Sequence, residues 1–393
     1  MSFQPNLADR ISYLPPYLFA EIDRFKTAAK KRGMNLIDLS IGDPDSSTPT
    51  AIVEELCEQA GNPKNQKYPS YQGLLKFREA ASTWCYKRFG LNLDPEKEVL
   101  GLIGSKEGIG HIPFAFVNPS DYVLIPDPGY PVYYSSTILV GGNPYLLPLL
   151  KENNFLPDLS KIDQNVLKKA KLLFLNYPNN PTAAVASRDF FKEVVSFAHN
   201  HNLIVCHDAA YSEIYFDEDK PTSFLEIDGA KEIGIEFHSL SKTYNMTGWR
   251  IGFAVGNANL IAGLGKVKTN LDSGIFEPIQ YAGIKALTGD QASIAKLNVI
   301  YKERRDVVVV GLKKLGLEVE QPKATFYVWS RLPKKWDSSI EFTKCLLNET
   351  GIVVTPGVGF GKSGEGYFRI ALTLPKERLE EVVAIIDNYL GKI

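Results

Sequence analysis

The feature that most constrains the fold is an alternation of short apolar strands with helical patterns between residues 99 and 255. Apolar runs at 99–103, 122–125, 172–175, 203–206, 234–237 and 251–255 are typical of strands. Helical patterns occupy 106–117, 131–140 and 187–201. The strands are rich in Leu, Ile and Val throughout, which is typical of strands that are buried on both faces. The sequence therefore predicts an α/β fold with a mostly parallel sheet that helices cover on both sides.

The pattern changes near residues 270–290, and this change suggests a second domain. A long helical pattern at 290–315 is followed by short strands at 317–320, 325–329, 352–354 and 367–371, with helices at 340–348 and 376–390. A length of 393 residues allows one large domain and a smaller one. We therefore predict a large domain at 46–285 and a small α+β domain at 286–393. An N-terminal arm at 1–45 should pack with the small domain, because it has no core of its own.

The amino-acid composition argues against some classes of binding partner. The chain is 44% hydrophobic and 23% charged, with a formal net charge of −1, so no bulk electrostatic attraction to nucleic acid or an anionic membrane is expected. No apolar stretch approaches the roughly 20 residues of a membrane-spanning helix. The four cysteines are widely spaced and the N-terminus has no secretory pattern. We expect a cytoplasmic protein that acts on small molecules.

The segment from Ser239 to Gly252 follows a buried strand and carries a lysine, two serines and an arginine. Partial desolvation of Lys242 would lower its pKa and make its free amine available for Schiff-base chemistry. Ser239 and Arg250 are residue types that bind phosphate. Taken alone, Lys242 is more often a solvated surface residue, so this segment needs support from elsewhere.

That support comes from the ends of the other predicted strands. In open α/β sheets, ligands bind beyond the carboxyl ends of the strands. Polar or aromatic residues follow five such ends: Gly104-Ser105-Lys106, Gly129-Tyr130, Asn179-Asn180-Pro181, Asp208 to Tyr211, and Ser239 to Lys242. Each has an alternative structural interpretation, since an aspartate caps turns, a tyrosine fills cores and an Asn-Asn-Pro triplet forms turns. Five together indicate a ligand site.

These motifs resemble the fold-type I pyridoxal-phosphate aminotransferases over essentially the whole chain. The resemblance implies that Lys242 attaches the cofactor and then acts as general base and acid on the substrate α-proton. It implies that Asp208 pairs with the pyridine nitrogen, and that Tyr211 and Asn180 bind the phenolic oxygen of the ring. Tyr130 would stack on the ring face.

The same resemblance assigns the remaining positions of the site. The phosphate group would be bound by Ser105, Lys106, Ser239, Ser241 and Arg250. Tyr68 would reach the phosphate from the neighbouring subunit, which implies a homodimer with shared active sites. Arg369 would bind the α-carboxylate of the substrate, with Tyr130 and Asn180 beside it, and Gly42 would close over the substrate. By composition alone, Arg369 would more commonly be a solvated strand residue.

Several stretches are similar to the LL-diaminopimelate aminotransferases in particular. They include Ser40-Ile41-Gly42-Asp43-Pro44, Asn179-Asn180-Pro181-Thr182-Ala183 and the segment around Lys242. This similarity implies transamination between LL-diaminopimelate and 2-oxoglutarate in lysine biosynthesis, with Tyr17 as a substrate contact. Lys106 opposes the dipole of its helix and would pair with a second substrate carboxylate. Tyr71 stands where plant members have a glutamate, so aspartate, alanine or aromatic aminotransferases, and a C–S lyase with the same cofactor, remain alternatives.

Two further patterns resemble other kinds of site. Residues 356–363 resemble a Walker A loop, but Pro356 replaces the first glycine and a strand follows instead of a helix. His199, His201, Cys206 and His207 resemble a metal cluster, but two of them end a helix and two end a buried strand. We expect neither a P-loop nor a metal site.

Overall fold

The computed structural model describes residues 5–15, 18–217 and 220–391, and the side chains of 18–21 are left out of the description. Tyr17 lies outside the described residues. The α-helices of these ranges are α1 Asp9–Ser12, α2 Leu18–Lys31, α3 Thr50–Ala60, α4 Leu75–Phe89, α5 Ser105–Phe116, α6 Pro131–Leu139, α7 Gln164–Leu167, α8 Arg188–His201, α9 Ala230–Ile233, α10 Leu240–Thr243, α11 Ala258–Leu271, α12 Glu277–Thr288, α13 Ala292–Lys314, α14 Ser339–Thr350 and α15 Lys376–Leu390. The strands are β1 Ile37–Asp38, β2 Val99–Leu102, β3 Tyr122–Asp127, β4 Asn143–Pro148, β5 Ala170–Asn176, β6 Ile204–Asp208, β7 Gly234–Ser239, β8 Gly252–Gly256, β9 Tyr327–Arg331, β10 Ile352–Val353, β11 Thr355–Pro356 and β12 Tyr367–Ala371.

The central sheet has seven strands in the order β2-β8-β7-β6-β5-β3-β4. Neighbouring strands run parallel except at β8, which is antiparallel to both β2 and β7. The prediction of a mostly parallel sheet is confirmed. Because parallel strands end at the same edge, the polar residues that follow β5, β6 and β7 meet there.

Alternate residues of each strand pack against helices on opposite faces of this sheet. On β3, Val123 and Ile125 join a core with α5, α6 and α11, whereas Leu124 joins the core with α4, α8 and α12. All three side chains are almost fully buried. Burial on both faces explains why the strand sequences are apolar throughout instead of alternating with polar residues.

A buried ionic cluster interrupts one of these cores. Glu236 on β7 lies 2.8 Å from Nδ1 of His207 and 2.8 Å from Nε2 of His238, and it accepts a hydrogen bond from the Ser223 hydroxyl. Burial raises the pKa of Glu236, but the hydrogen bonds from the two histidines outweigh it and hold that pKa well below its usual range. A carboxylate therefore survives inside the sheet because its oxygens are satisfied.

The C-terminal part of the chain forms a second core around the antiparallel sheet β11-β12-β9. The arm joins it, since Ile37 of β1 pairs with Ile352 of β10 and Ala29 of α2 packs in a cluster with Leu347. The change from the first core to the second occurs along α13 and the preceding turn. The division into 1–45, 46–285 and 286–393 stays a prediction, since Ala286 and Leu287 still pack in the first core and Tyr211 and Ile214 pack in the second.

The strand predicted at residues 317–320 is not formed as a ladder. Residues 317–320 form only an isolated β-bridge, between Val319 and Ser330. Pro322 follows closely, and because proline has no N–H, the ladder does not continue through it.

The described ranges bear on membrane association and on the state of the cysteines. No helix there is long and apolar enough to cross a membrane. The four cysteines are all free thiols.

The central sheet gives a direct test of packing. We expect Leu124→Ala to lower the free energy of unfolding by about 2–5 kcal/mol, because it removes a fully buried side chain from the middle of β3 and leaves a cavity. Leu150→Ala is the matched control, since Leu150 is exposed and its truncation should have a small effect. Chemical denaturation measures both. Equal losses in the two variants would contradict the assignment of Leu124 to the core.

Candidate active site

A cavity of about 390 Å³ opens at the carboxyl edge of the central sheet, between the two cores. Its walls come from the ends of β5, β6 and β7, the start of α5, the arm and β12. It brings together twelve of the residues that the sequence singled out: Gly42, Ser105, Lys106, Tyr130, Asn180, Asp208, Tyr211, Ser239, Ser241, Lys242, Arg250 and Arg369. Residues over 300 positions apart converge here because the central sheet, the arm and β12 all contribute to the walls of the cavity.

Lys242 lies in the short helix α10, which begins directly after β7. Its Nζ donates a hydrogen bond of 2.6 Å to the carbonyl oxygen of Gly42. Burial is the main reason that the pKa of Lys242 is lowered to about 8; the positive charges of Arg369 and Arg250 act in the same direction, and the negative charge of Asp43 opposes them. A substantial fraction of this amine is therefore neutral near physiological pH, as a nucleophile or general base requires.

Gly42 reaches Lys242 because it has no side chain. A Cβ atom at this position would lie 1.8 Å from the hydroxyl oxygen of Tyr327. That hydroxyl is also 3.0 Å from the hydroxyl of Tyr211. The close approach of the arm to β9 thus fixes the wall of the cavity opposite Lys242.

Asp208 supplies a buried acid at the end of β6. The Tyr133 hydroxyl donates to its Oδ2 at 2.8 Å, and the backbone N–H of Ala210 donates to its Oδ1 at 3.3 Å. Burial raises the pKa of Asp208, although these hydrogen bonds and the nearby His207 and His238 oppose the rise. Such a carboxyl group is suited to a cationic partner in the cavity.

A cradle for an anion lies at the start of α5. Gly104 precedes this twelve-residue helix with φ of 77°, and a Cβ there would lie 2.3 Å from Nη2 of Arg250. Arg250 donates to the carbonyl of Thr247 at 2.9 Å and lies 3.5 Å from the Ser241 hydroxyl. The helix N-terminus, the guanidinium and the hydroxyl groups form the donor set that a phosphate group requires.

Arg369 is buried at the small-domain side of the cavity. Its Nη1 donates to Oδ1 of Asn180 and its Nη2 to the carbonyl of Ser40, both at 2.7 Å. The rings of Tyr327 and Phe360 lie 4.1 and 4.6 Å from the guanidinium carbon. Its Nε has no acceptor within the described part of the chain, so the guanidinium is fixed in place with donor capacity left for a carboxylate.

The loop that carries Tyr68 and Tyr71 lies at the surface of the subunit. Tyr68 is 88% exposed and Tyr71 is 45% exposed, and neither lines the cavity of its own subunit. The exposure of Tyr68 is compatible with the expected contact across a subunit interface, which stays a prediction.

Four contributors were not identified from the sequence: Tyr133, Asn176, Tyr327 and Phe360. Asn176 ends β5, so the strand-end rule that selected Asp208 was sufficient to find it. Phe360 belongs to the segment that resembles a Walker A loop, which instead forms 3₁₀ turns at Gly357–Phe360 and Lys362–Gly364. Tyr327 carries no sequence signal, because its role depends on the approach of the two domains.

Comparisons with known proteins decide the family. The family described as aminotransferase class I and II matches residues 34–386. The chain belongs to this family. It is 53% identical to an LL-diaminopimelate aminotransferase of Halothermothrix orenii, over 97% of this chain and 98% of the relative. It is 54% identical to the enzyme of the same name from Aquifex aeolicus, over 98% and 99%. Substrate-bound BacF from Bacillus subtilis superposes with a TM-score of 0.94 at 39% identity, covering 99% of this chain and 98% of that one.

The chain is therefore a pyridoxal-phosphate-dependent aminotransferase, and the donor set of the cavity fits this cofactor. The Asp208 carboxylate suits the pyridine nitrogen, the Lys242 amine suits the aldehyde, and the cradle beside Arg250 suits the phosphate. The glycine at position 104 leaves the space that this cradle needs.

The lowered pKa of Lys242 predicts a pH profile. In the apo-protein, we expect the rate of attachment of pyridoxal phosphate to rise with pH and to level off above about 8, since only the neutral amine attacks. Nα-acetyl-lysine, whose only free amine is the ε-amine, is the reference, and its rate should keep rising towards about pH 10.4. Stopped-flow absorbance measures both rates. A protein profile that follows the reference compound would contradict the burial argument.

Proposed function

We propose that this enzyme transfers an amino group between LL-diaminopimelate and 2-oxoglutarate in lysine biosynthesis. The observation that carries the proposal is the full-length identity of 53–55% to relatives that are themselves named LL-diaminopimelate aminotransferase. The cavity supports it, because it offers a cation for each end of a substrate that has two carboxylates: Arg369 and Lys106.

Each residue of the cavity has a proposed task. When bound, pyridoxal phosphate supplies an electron sink that acidifies the substrate α-carbon. Arg369 binds the α-carboxylate, which places the α-hydrogen towards Lys242. The neutral amine of Lys242 accepts this proton from the α-carbon, and the resulting ammonium group would deliver it to the cofactor carbon that takes up the amino group. Asp208 and Tyr211 hold the cofactor ring in register with these groups.

The other residues of the cavity have proposed roles in binding the cofactor or the substrate. Tyr130 lies beside the space for the ring, and Asn180 connects that space to Arg369 through the 2.7 Å hydrogen bond. Ser105, Ser239 and Ser241 surround the anion cradle. Gly42 faces the substrate side, where its carbonyl accepts from Lys242.

Lys106 is the proposed determinant for the distal carboxylate. It stands in the first turn of α5, where a positive charge opposes the helix dipole, and it is one of the residues that line the cavity. Tyr71 replaces the glutamate of plant members, so recognition of the distal ammonium group would use other groups here. Tyr17, outside the described residues, stays a proposed contact.

Amino-donor specificity tests the proposal. We expect the visible absorbance of the bound cofactor to fall on addition of LL-diaminopimelate or glutamate and to return with 2-oxoglutarate. Aspartate and alanine should leave the spectrum unchanged. Lys242→Ala is the control, and we expect it to lose transamination by at least about 10²–10⁴-fold, the usual contribution of a general base.

Other outcomes would identify the alternatives. Absorbance changes with aspartate, alanine or aromatic amino acids, but not with LL-diaminopimelate, would replace the proposed substrate while keeping the transaminase. Release of pyruvate and sulfide from cysteine would instead identify a C–S lyase. Product analysis by chromatography separates these reactions.

We also propose a cytoplasmic homodimer with shared active sites. An exposed set of large apolar side chains supports an interface: Tyr68, Tyr71, Leu75, Phe114, Leu271 and Phe276. The loops that carry some of them adjoin, since a Cβ on Gly274 would lie 2.3 Å from the carbonyl oxygen of Ser70. Exposed apolar side chains that lie close together often mark a protein–protein interface.

Hybrid dimers test the sharing of sites. Mixed and reassociated subunits of Lys242→Ala and Tyr68→Ala should give more activity than the two variants assayed separately. The reason is that one site of each hybrid combines an intact Lys242 with an intact Tyr68 from the partner. Steady-state kinetics on the mixture measures this gain. Activity equal to the average of the parents would show that Tyr68 does not act across the interface.

A further inference from the structure

The shorter of the two hydrogen bonds to the Asp208 carboxyl group comes from Tyr133, a residue that no sequence motif identified. Tyr133 on α6 is fully buried, and its hydroxyl lies 2.8 Å from Oδ2 of Asp208. Burial and the adjacent Asp208 raise the pKa of Tyr133 well above its usual range, so the phenol stays protonated and is always the donor. Among the described residues, the other donor to this carboxylate is the Ala210 N–H, at 3.3 Å.

We propose that Tyr133 is a positioning residue that keeps the Asp208 carboxylate ionised and turned towards the cofactor ring. This inference rests on the proposed role of Asp208 as the partner of the pyridine nitrogen. A hydrogen bond from a neutral hydroxyl stabilises the carboxylate over the carboxylic acid and leaves its other oxygen available.

The packing of Tyr133 suits this task. Its ring is stacked on Phe174 of β5, with centroids 4.9 Å apart and planes 18° apart. The ring of Tyr130 meets it edge-on at 5.9 Å. These contacts hold the phenol in one orientation, so the hydroxyl is presented to Asp208 without further loss of side-chain entropy. Tyr130 in turn faces the cavity, which couples the two tyrosines to the space for the ring.

The charged and titratable groups around Asp208 come from every neighbouring element. His207 precedes it on β6, His238 lies on β7, and Tyr211 follows in the next turn. Lys242 lines the same cavity. None of these donates a hydrogen bond to the Asp208 side chain in the described structure, so the hydroxyl of Tyr133 has no replacement there.

Removal of this hydroxyl has a defined consequence for pH. Burial raises the pKa of Asp208, and without Tyr133 that rise is less opposed. The carboxyl group of the variant is then protonated up to a higher pH. Because the protonated cofactor ring requires the ionised carboxylate, the affinity of the variant should fall further behind that of the wild type as the pH decreases.

The test uses Tyr133→Phe, which keeps the ring and removes the hydroxyl. Apo-protein is titrated with pyridoxal phosphate, and the dissociation constant is measured by absorbance from mildly acidic to mildly alkaline pH. We expect an increase of about tenfold, larger at the acidic end, for the loss of a hydrogen bond to a charged group. Tyr177→Phe is the matched control, since its buried hydroxyl donates to the carbonyl of Phe155 at 2.9 Å, away from the cavity.

Asp208→Asn separates this inference from the proposed function. If Asp208→Asn leaves the dissociation constant unchanged, the assigned role of Asp208 is wrong. If Asp208→Asn weakens binding but Tyr133→Phe behaves like Tyr177→Phe at every pH, the inference about Tyr133 alone is overturned. The double variant Tyr133→Phe with Asp208→Asn should bind no more weakly than Asp208→Asn, because the carboxylate that the hydroxyl served is gone.

A second variant at position 133 keeps the test valid if Tyr133→Phe does not fold. Tyr133→Met also lacks the hydroxyl and fills the same space with a flexible apolar side chain. Circular dichroism establishes that each variant is folded before titration. A pH-independent loss of affinity in both Tyr133 variants would indicate a merely structural role and would contradict the proposal.

Discussion

The hydrogen bond between Arg369 and Asn180 is the contact on which the arrangement of the active site depends. It joins the small-domain strand β12 to the loop that follows β5 in the central sheet. Arg369 also binds the carbonyl of Ser40 in the arm, so one buried guanidinium holds three separate parts of the chain together. Burial of that charge is tolerated because aromatic faces and polar acceptors surround it. The same interactions leave it poised for a substrate carboxylate.

Charged and polar groups within the central sheet also influence the acid of the site, Asp208. Glu236 is ionised in the core because His207 and His238 bind it from both sides, and these two histidines also lie near Asp208. On the opposite face, Tyr133 donates directly to Asp208. The carboxyl group of Asp208 therefore lies near two histidines on one face of the sheet and receives a hydrogen bond from the other face, and this hydrogen bond orients it before any ligand arrives.

Much of this site was predictable from local sequence. A strand followed by a polar residue marks a position at the carboxyl edge, and this rule placed Asp208 and Lys242 correctly in the cavity. The Asn179-Asn180-Pro181 triplet fits both of its interpretations, as a turn and as part of a ligand site. Oδ1 of Asn179 accepts a hydrogen bond from the N–H of Thr182 within the turn, whereas Asn180 lines the cavity. At Ala183 the backbone adopts φ of 60°, a conformation that glycine enters more readily than other residues. This turn brings Asn180 to the cavity but does not reveal the substrate.

Local periodicity and the direction of parallel strands were enough to predict the alternation of strands and helices, the mostly parallel sheet and the edge at which the ligand residues gather. The residues that complete the site from distant positions could not be predicted in this way, because they depend on how the domains pack. Tyr327 and Phe360 enclose Arg369 only after the small domain packs against the sheet. The pKa of Lys242 likewise depends on the tertiary structure. Its fall to about 8 comes from burial and from two arginines brought close by folding, and a one-dimensional pattern does not encode these distances.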